Sequence, residues 1–201
     1  MPYRPLLESQ PIAHLAKVLS DRPGREIEAA DARHAAIALV LRTSPEHGEP
    51  ELLLIRRAEF EGDPWSGHIA CPGGRREPGD HDLAQTAIRE TWEETGIDIA
   101  RDGQILGALD DMTPMTRRLP ALIIRPFVAV VAPGVKPVLS EEVSEAFWVP
   151  LSVVRQRARW GRGMVDVGGV GPREVDVFTH EQYVVWGLTH RALSQFVEYL
   201  G

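Results

Sequence analysis

Glu90, Glu93 and Glu94 fall within five consecutive residues, directly after Arg89. On a helix each residue turns by roughly 100°. Glu93 and Glu94 therefore flank the direction of Glu90 one turn along, and the three carboxylates face one small volume. Like charges at this spacing repel one another. Their oxygens are hard ligands that suit Mg²⁺ or Mn²⁺, and a divalent cation would offset the repulsion. The alternative is an exposed helix face with three solvated glutamates. The context favours the ion: the triplet follows Pro72-Gly73-Gly74, and Gly96 comes two residues after Glu94. Glycines there let the main chain come close to an ion.

These carboxylates need a short, well-capped helix to present them. Asp82 is placed to be its N-cap, with Gln85 three residues on completing a capping box. Ala84, Ala87, Ile88 and Thr91 form the inner stripe, and Gly96 sits where a helix stops. Upstream, "AAIALVLR" and "ELLLIRR" are short apolar runs that read as two strands joined by a loop, and "HIAC" reads as a brief strand. Downstream, "GQILGALDD", "ALIIRPFVAVV" and "EAFWVPL" read as strands, with an acidic loop before the last. Residues 162–178 are glycine-rich and suit a hairpin, and 161–173 are open to a role as a mobile lid. "IAHLAKVLS" has helical spacing, "DRPGREIEAADARH" reads as a linker, and "EQYVVWGLTHRALSQFVEYL" reads as an amphipathic C-terminal helix with Val184, Leu188, Ala192 and Phe196 on its stripe. The two amphipathic end tracts either pack on the domain or make a homodimer contact. The class is α+β, or an α/β sandwich.

The chain has 201 residues, 43% of them hydrophobic, and a net charge of −7. That argues against nucleic-acid and membrane-surface partners, which require clustered Lys and Arg. Cys71 is the one cysteine, which excludes an internal disulfide and a cysteine-rich zinc site. The first 20 residues lack an apolar block behind a basic end, and no window approaches a membrane span. The expectation is a cytoplasmic protein.

The stretch "GGRREPGDHDLAQTAIRETWEETGI" resembles the Nudix box, G-x5-E-x7-R-E-U-x-E-E-x-G-U, with U a bulky apolar residue. Gly74, Arg89, Glu90, Glu93, Glu94, Gly96 and Ile97 match over about two dozen positions. Asp80 replaces the first glutamate, eight residues separate it from Arg89, and Thr91 stands at an apolar position. This variant box looks like that of the subgroup cleaving coenzyme A, as does the "VVWGLTHRAL" near the end. The resemblance implies the Nudix fold, an α/β/α sandwich with a mixed sheet between helices. It implies a domain over residues 31–201, preceded by an N-terminal helix and linker over 1–30. It further implies a hydrolase that needs Mg²⁺ or Mn²⁺ and takes a small nucleotide-diphosphate substrate. By position Glu93 and Glu94 match the principal metal ligands, Glu90 a further ligand or general base, and the Gly73 carbonyl an extra ligand. Arg89 matches a residue that orients a carboxylate. One of Glu141, Glu142 and Glu145, or Asp110 or Asp111, could supply a distal acid.

The upstream stretch "LLIRRAEFEGDPWSGHIACPGG" is similar to the coenzyme A subgroup's signature at Leu53, Leu54, Arg57, Gly67, Pro72, Gly73 and Gly74. Ala58 replaces its Ser, Cys71 its Phe, and Glu61 and Gly62 occupy the place of its second Arg. Arg57, Trp65 and Gly74 are the expected substrate contacts, Trp65 by stacking on a base. The alternative for Trp65 is a cover over the core edge. The missing arginine keeps a second substrate class open: ADP-ribose, NADH or dinucleoside polyphosphates. A third reading is a regulator that binds nucleotide without cleaving it; the retained glutamates weigh against it. His68 and Cys71 are too few for a zinc site.

Overall fold

The structure is a computed structural model that describes residues 2–62, 65–114, 121–167 and 171–201. Helices α1 (Arg4–Glu8) and α2 (Gln10–Asp21) lead to strands β1 (Arg33–Thr43), β2 (Pro50–Arg57), β3 (Ile69–Ala70) and β4 (Gly73–Arg75). Then come α3 (Leu83–Thr95), α4 (Ile99–Asp102), β5 (Gly103–Ala108), β6 (Leu122–Val131), β7 (Val143–Pro150) and α5 (Leu151–Val154). The chain ends with β8 (Trp160–Val167), β9 (Gly171–His180), β10 (Tyr183–Trp186) and α6 (Gly187–Leu200).

The central sheet is mixed. Its strand order is β3-β2-β1-β6-β5, with β4 also paired to β1 and β7 to β2. β1 runs parallel to β6 from Arg33↔Leu122 to Leu41↔Val130 and antiparallel to β2 and β4. Strand alternation sorts the two faces. Ala36, Ala38 and Val40 point to the face that buries Ala87 of α3, with Ile97 and Ile99. Leu39 and Leu41 point to the other, where Ile12, Leu15 and Leu19 of α2 meet Leu193 and Phe196 of α6. The result is the expected α/β/α sandwich. Among the described residues no helix is long and apolar enough to cross a membrane.

Both end tracts fold inward: Ile12, Leu15 and Leu19 share one core cluster with Leu193, Phe196 and Tyr199, whereas Leu188 and Ala192 of the expected stripe lie in a smaller cluster with Met112 and Ile124. The segment after α2 is tied down by two aspartates. Asp110 accepts from the backbone N–H of Arg25 at 2.9 Å and from its guanidinium at 2.6 and 2.8 Å. Asp111 accepts from the N–H of Ile27 at 2.9 Å and from Arg125 at 2.7 and 2.9 Å. These two acids therefore anchor chain segments.

One local expectation changes. The terminal helix begins at Gly187, and Tyr183–Trp186 is a strand paired with β9. Tyr183 and Val185 are buried while Val184 is exposed, the alternation of a strand. Gly187, with φ +65°, ends the strand where the helix begins. The glycine-rich hairpin is β8 against β9; its connecting residues 168–170, part of the stretch read as a lid, lie outside the described residues.

Candidate metal and diphosphate site

α3 has the expected ends. The Asp82 carboxylate accepts from the N–H of Gln85 at 2.8 Å. The reciprocal bond is displaced by one residue: the Gln85 side chain accepts from the N–H of His81, at 2.8 Å. Gly96 adopts the left-handed conformation at φ +66° and donates to the carbonyl of Trp92. Thr91, at a position where an apolar residue is usual, is fully buried and donates its hydroxyl to the Ala87 carbonyl at 2.7 Å. That bond removes the cost of an unpaired buried hydroxyl.

The three glutamates have different surroundings. Glu94 is 4% exposed. One of its oxygens accepts from the N–H of Gly73 at 2.9 Å, and the other lies 3.9 Å from the Arg57 guanidinium. Burial, the largest influence, pushes the Glu94 carboxyl up to about 7, against the lowering effect of the Gly73 bond. Glu90 is half-buried and is also raised, first by desolvation, with Arg89 opposing. Glu142, on the acidic loop, pushes both carboxyls upward by its charge. Glu93 is more exposed and accepts from Arg89 at 2.8 Å.

Arg89 is the hub. It donates to both oxygens of Asp80 at 3.0 Å, to the carbonyl of Arg75 at 2.9 Å and to Glu93, and it lies 3.0 Å from Glu90. Asp80 in turn accepts from the N–H of Glu77 and from the Thr86 hydroxyl. The Arg89 hydrogen bonds, as the largest cause, hold the Asp80 carboxyl far below the usual range. Asp80 thus reaches Arg89 despite the extra residue between them.

The glycine loop fits tightly beneath these acids. A side chain at Gly73, whose φ is +155°, would meet the Ala36 carbonyl oxygen at 2.3 Å. A methyl at Gly74 would lie 2.4 Å from the Glu90 carboxylate. β4 is thereby held against β1, and the Gly73 main chain against Glu94.

This donor set suits a hard dication. Glu90 and Glu94 are both desolvated and both raised by the charge of Glu142, Glu94 also by that of Glu90 and Glu90 by that of Glu93, so a cation would relieve a cost already present. Glu90 and Glu94 would hold it, with Glu93 and the Gly73 main chain beside them. Among the described residues no three acidic, imidazole or thiol side chains form a preformed cage; one guanidinium nitrogen of Arg89 lies between Glu90 and Glu93, 3.0 and 2.8 Å from them.

The structure brings Arg57 to this centre through Glu94. Trp65, 48% exposed, lies in the loop between β2 and β3 that starts beside Arg57; Asp63 and Pro64 of that loop lie outside the described residues. His68 packs edge-on to Trp186 at 4.7 Å, and Cys71 is buried, its thiol pushed up to about 12 by desolvation. Of the acidic candidates, Glu145 lies on β7 and accepts from the Tyr183 hydroxyl, and Glu142 is the one whose charge raises Glu90 and Glu94.

A match to the NUDIX domain covers residues 32–166, about two thirds of the chain. The chain belongs to the Nudix hydrolase family. The mouse protein named mitochondrial coenzyme A diphosphatase NUDT8 is 33% identical over 162 residues, covering 79% of this chain and 74% of that one. An uncharacterised Schizosaccharomyces pombe protein is 40% identical over 108 residues, 51% of this chain; the match spans only 32% of that protein's length. Among solved structures, a MutT/nudix family protein from Enterococcus faecalis superposes with a TM-score of 0.57 at 16% identity. It covers 93% of this chain and 68% of its own, and supports the Nudix fold alone.

Proposed function

We propose that the protein hydrolyses the diphosphate bond of coenzyme A or a related nucleoside-diphosphate-linked compound, with Mg²⁺ or Mn²⁺ as cofactor. The observation that carries this reading is the pairing of buried Glu94 with the Gly73 N–H and of Arg89 with Asp80 and Glu93. It is a desolvated acidic centre on a glycine-backed helix. The 33% identity to the mouse coenzyme A diphosphatase supports the substrate.

A bound dication would neutralise phosphate oxygens and so ease attack on phosphorus. Glu94, Glu90 and Glu93 would hold it, helped by the Gly73 main chain. Water attacks one phosphorus, the anhydride P–O bond breaks, and two phosphate monoesters result. Glu90, as a further ligand or as the general base, would take the proton of the attacking water in the second role. Arg89 positions Glu90 and Glu93 and is itself fixed by Asp80. Arg57 is suited to a phosphate oxygen, Trp65 to the face of a base, and Gly74 leaves room for Glu90. Cys71 as a buried free thiol suits a reducing, cytoplasmic setting.

A second reading keeps the chemistry and changes the substrate to ADP-ribose, NADH or dinucleoside polyphosphates. It is favoured by Glu61 and Gly62 standing where the coenzyme A signature has an arginine. A panel assay of phosphate-ester release separates the two. Turnover of coenzyme A above the others supports the first; rapid cleavage of ADP-ribose with coenzyme A untouched replaces it with the second.

A further inference from the structure

We infer that the cleft at the end of β1 and β4 binds a phosphate monoester carried on the same ribose as the diphosphate to be cleaved. The inference rests on the diphosphatase reading and extends it to the part of the substrate that confers specificity.

The cleft has a volume of about 350 Å³ and is lined by Arg33, His34, Arg75 and Arg76, together with Glu77 and Asp80. Three guanidinium groups thus face one space in a chain of net charge −7. Of the two acids there, Asp80 is committed to Arg89, and Glu77 has a largely solvent-exposed side chain. Both Asp80 oxygens are taken by Arg89, with Thr86 and the Glu77 N–H also donating to this carboxylate. Glu77 lies 4.0 Å from Arg89. Arg76 is pinned at the rim by donating to the carbonyls of Asp80 and His81 at 3.1 and 2.9 Å. Among the described residues the side chains of Arg33 and Arg75 have no ion pair and no hydrogen bond, and both are exposed.

The place of the cleft fixes what it would hold. Ala35 pairs with Arg75 across β1 and β4, and the N–H of Arg76 donates to the His34 carbonyl at 2.9 Å. Arg75 is two residues beyond Gly73, whose N–H holds Glu94, or about 7 Å along an extended strand. The cleft therefore begins one short step from the carboxylates. A guanidinium matches a phosphate by its forked donors, and a phosphate monoester carries a charge of about −1.5 to −2 near neutrality. The overall negative charge disfavours a polyanion such as a nucleic acid. A compact anion next to a diphosphate remains: the 3′-phosphate that coenzyme A carries and that ADP-ribose and NADH lack. Arg33 and Arg75 would also supply, from another element, the cationic contact that the β2–β3 loop lacks at Glu61 and Gly62.

The test uses binding and turnover together on the full chain. Calorimetry compares adenosine 3′,5′-bisphosphate with AMP, and kinetics compare coenzyme A with dephospho-coenzyme A, for the parent, Arg33→Gln/Arg75→Gln and Arg75→Lys. The parent is expected to bind the bisphosphate at least about tenfold more tightly than AMP. The double substitution should abolish that gap and lower the ratio of kcat/KM for coenzyme A over dephospho-coenzyme A by about tenfold. Arg75→Lys, which keeps the charge, should retain part of both. Equal binding of the two nucleotides by the parent, or a gap that survives the double substitution with an unchanged melting temperature, overturns the inference. If neither coenzyme compound is hydrolysed while the gap is present and vanishes on substitution, the cleft is upheld and the diphosphatase reading fails.

Discussion

The N–H of Gly73 donates to a carboxylate oxygen of Glu94 at 2.9 Å, joining the glycine loop to the helix that carries the acids. Glu94 is otherwise buried, with Arg57 3.9 Å away. It is an incompletely compensated charge held where a cation would be welcome, and several consequences can be measured.

Glu94→Gln should separate activity from stability. Turnover should fall by on the order of a hundredfold or more, as expected for loss of a metal ligand. In chelator at pH 8 the same variant should melt at or above the temperature of the parent, because a desolvated charge has been removed. Equal activity of parent and variant on every substrate tried would point instead to a nucleotide-binding regulator.

Stability without metal should depend on pH in a defined direction. The folded Glu94 carboxyl is raised from 4.5 to about 7. Its contribution to stability is therefore fully present below pH 4.5 and is lost as pH rises through 7. Thermal melts in chelator should show this decline between about pH 5 and 8. Saturating Mn²⁺ should raise the melting temperature more at pH 8 than at pH 6, since protons compete for the same oxygens. An equal increment at both values would show that Glu94 does not take part.

Asp80→Asn tests the hub. Removing one partner of a buried pair leaves Arg89 uncompensated and should cost about 3 kcal/mol in urea melts at pH 7. Turnover should fall as well, because Arg89 also holds Glu90 and Glu93. The folded Asp80 pKa is depressed, so its stabilisation is present above 3.8 and is lost as pH falls. The difference between parent and variant should be smaller at pH 3 than at pH 7.

The two glycines should respond differently to alanine. At Gly73 the new methyl would meet main chain, the Ala36 oxygen at 2.3 Å and the Ile37 Cα at 2.6 Å. A loss of about 2–4 kcal/mol is expected there. At Gly74 the three nearest atoms to the methyl would belong to the Glu90 carboxylate, a side-chain end that can shift where main chain cannot. Gly74→Ala should keep its melting temperature and lose turnover by about tenfold or more. Paired melting curves and kinetics on the two variants check this.

Much of this was legible in the chain. The caps of α3 were readable because Asp82 and Gly96 act through local hydrogen bonds and φ alone. β1, β2 and β6 were readable because their apolar runs are buried on both faces. Other features depend on contacts far apart in sequence. The parallel pairing of β1 with β6 has no local signature. β4, with two glycines in three residues, is a strand because β1 lies beside it. Val184 repeats with Leu188 at helical spacing, yet Tyr183 and Val185 alternate into the core, and burial decides. α1 is a five-residue helix opened by a proline, too short for periodicity to reveal. At the site, the bond from the Tyr183 hydroxyl to Glu145 and the approach of Arg57 to Glu94 join residues far apart in sequence and have no local signature.

The most direct test is the position of a manganese ion, read from its anomalous scattering in crystals grown with Mn²⁺. The account predicts a peak bound by Glu94 and Glu90 beside Gly73, absent from Glu94→Gln crystals. A peak elsewhere, or none at a concentration that supports turnover, would contradict it.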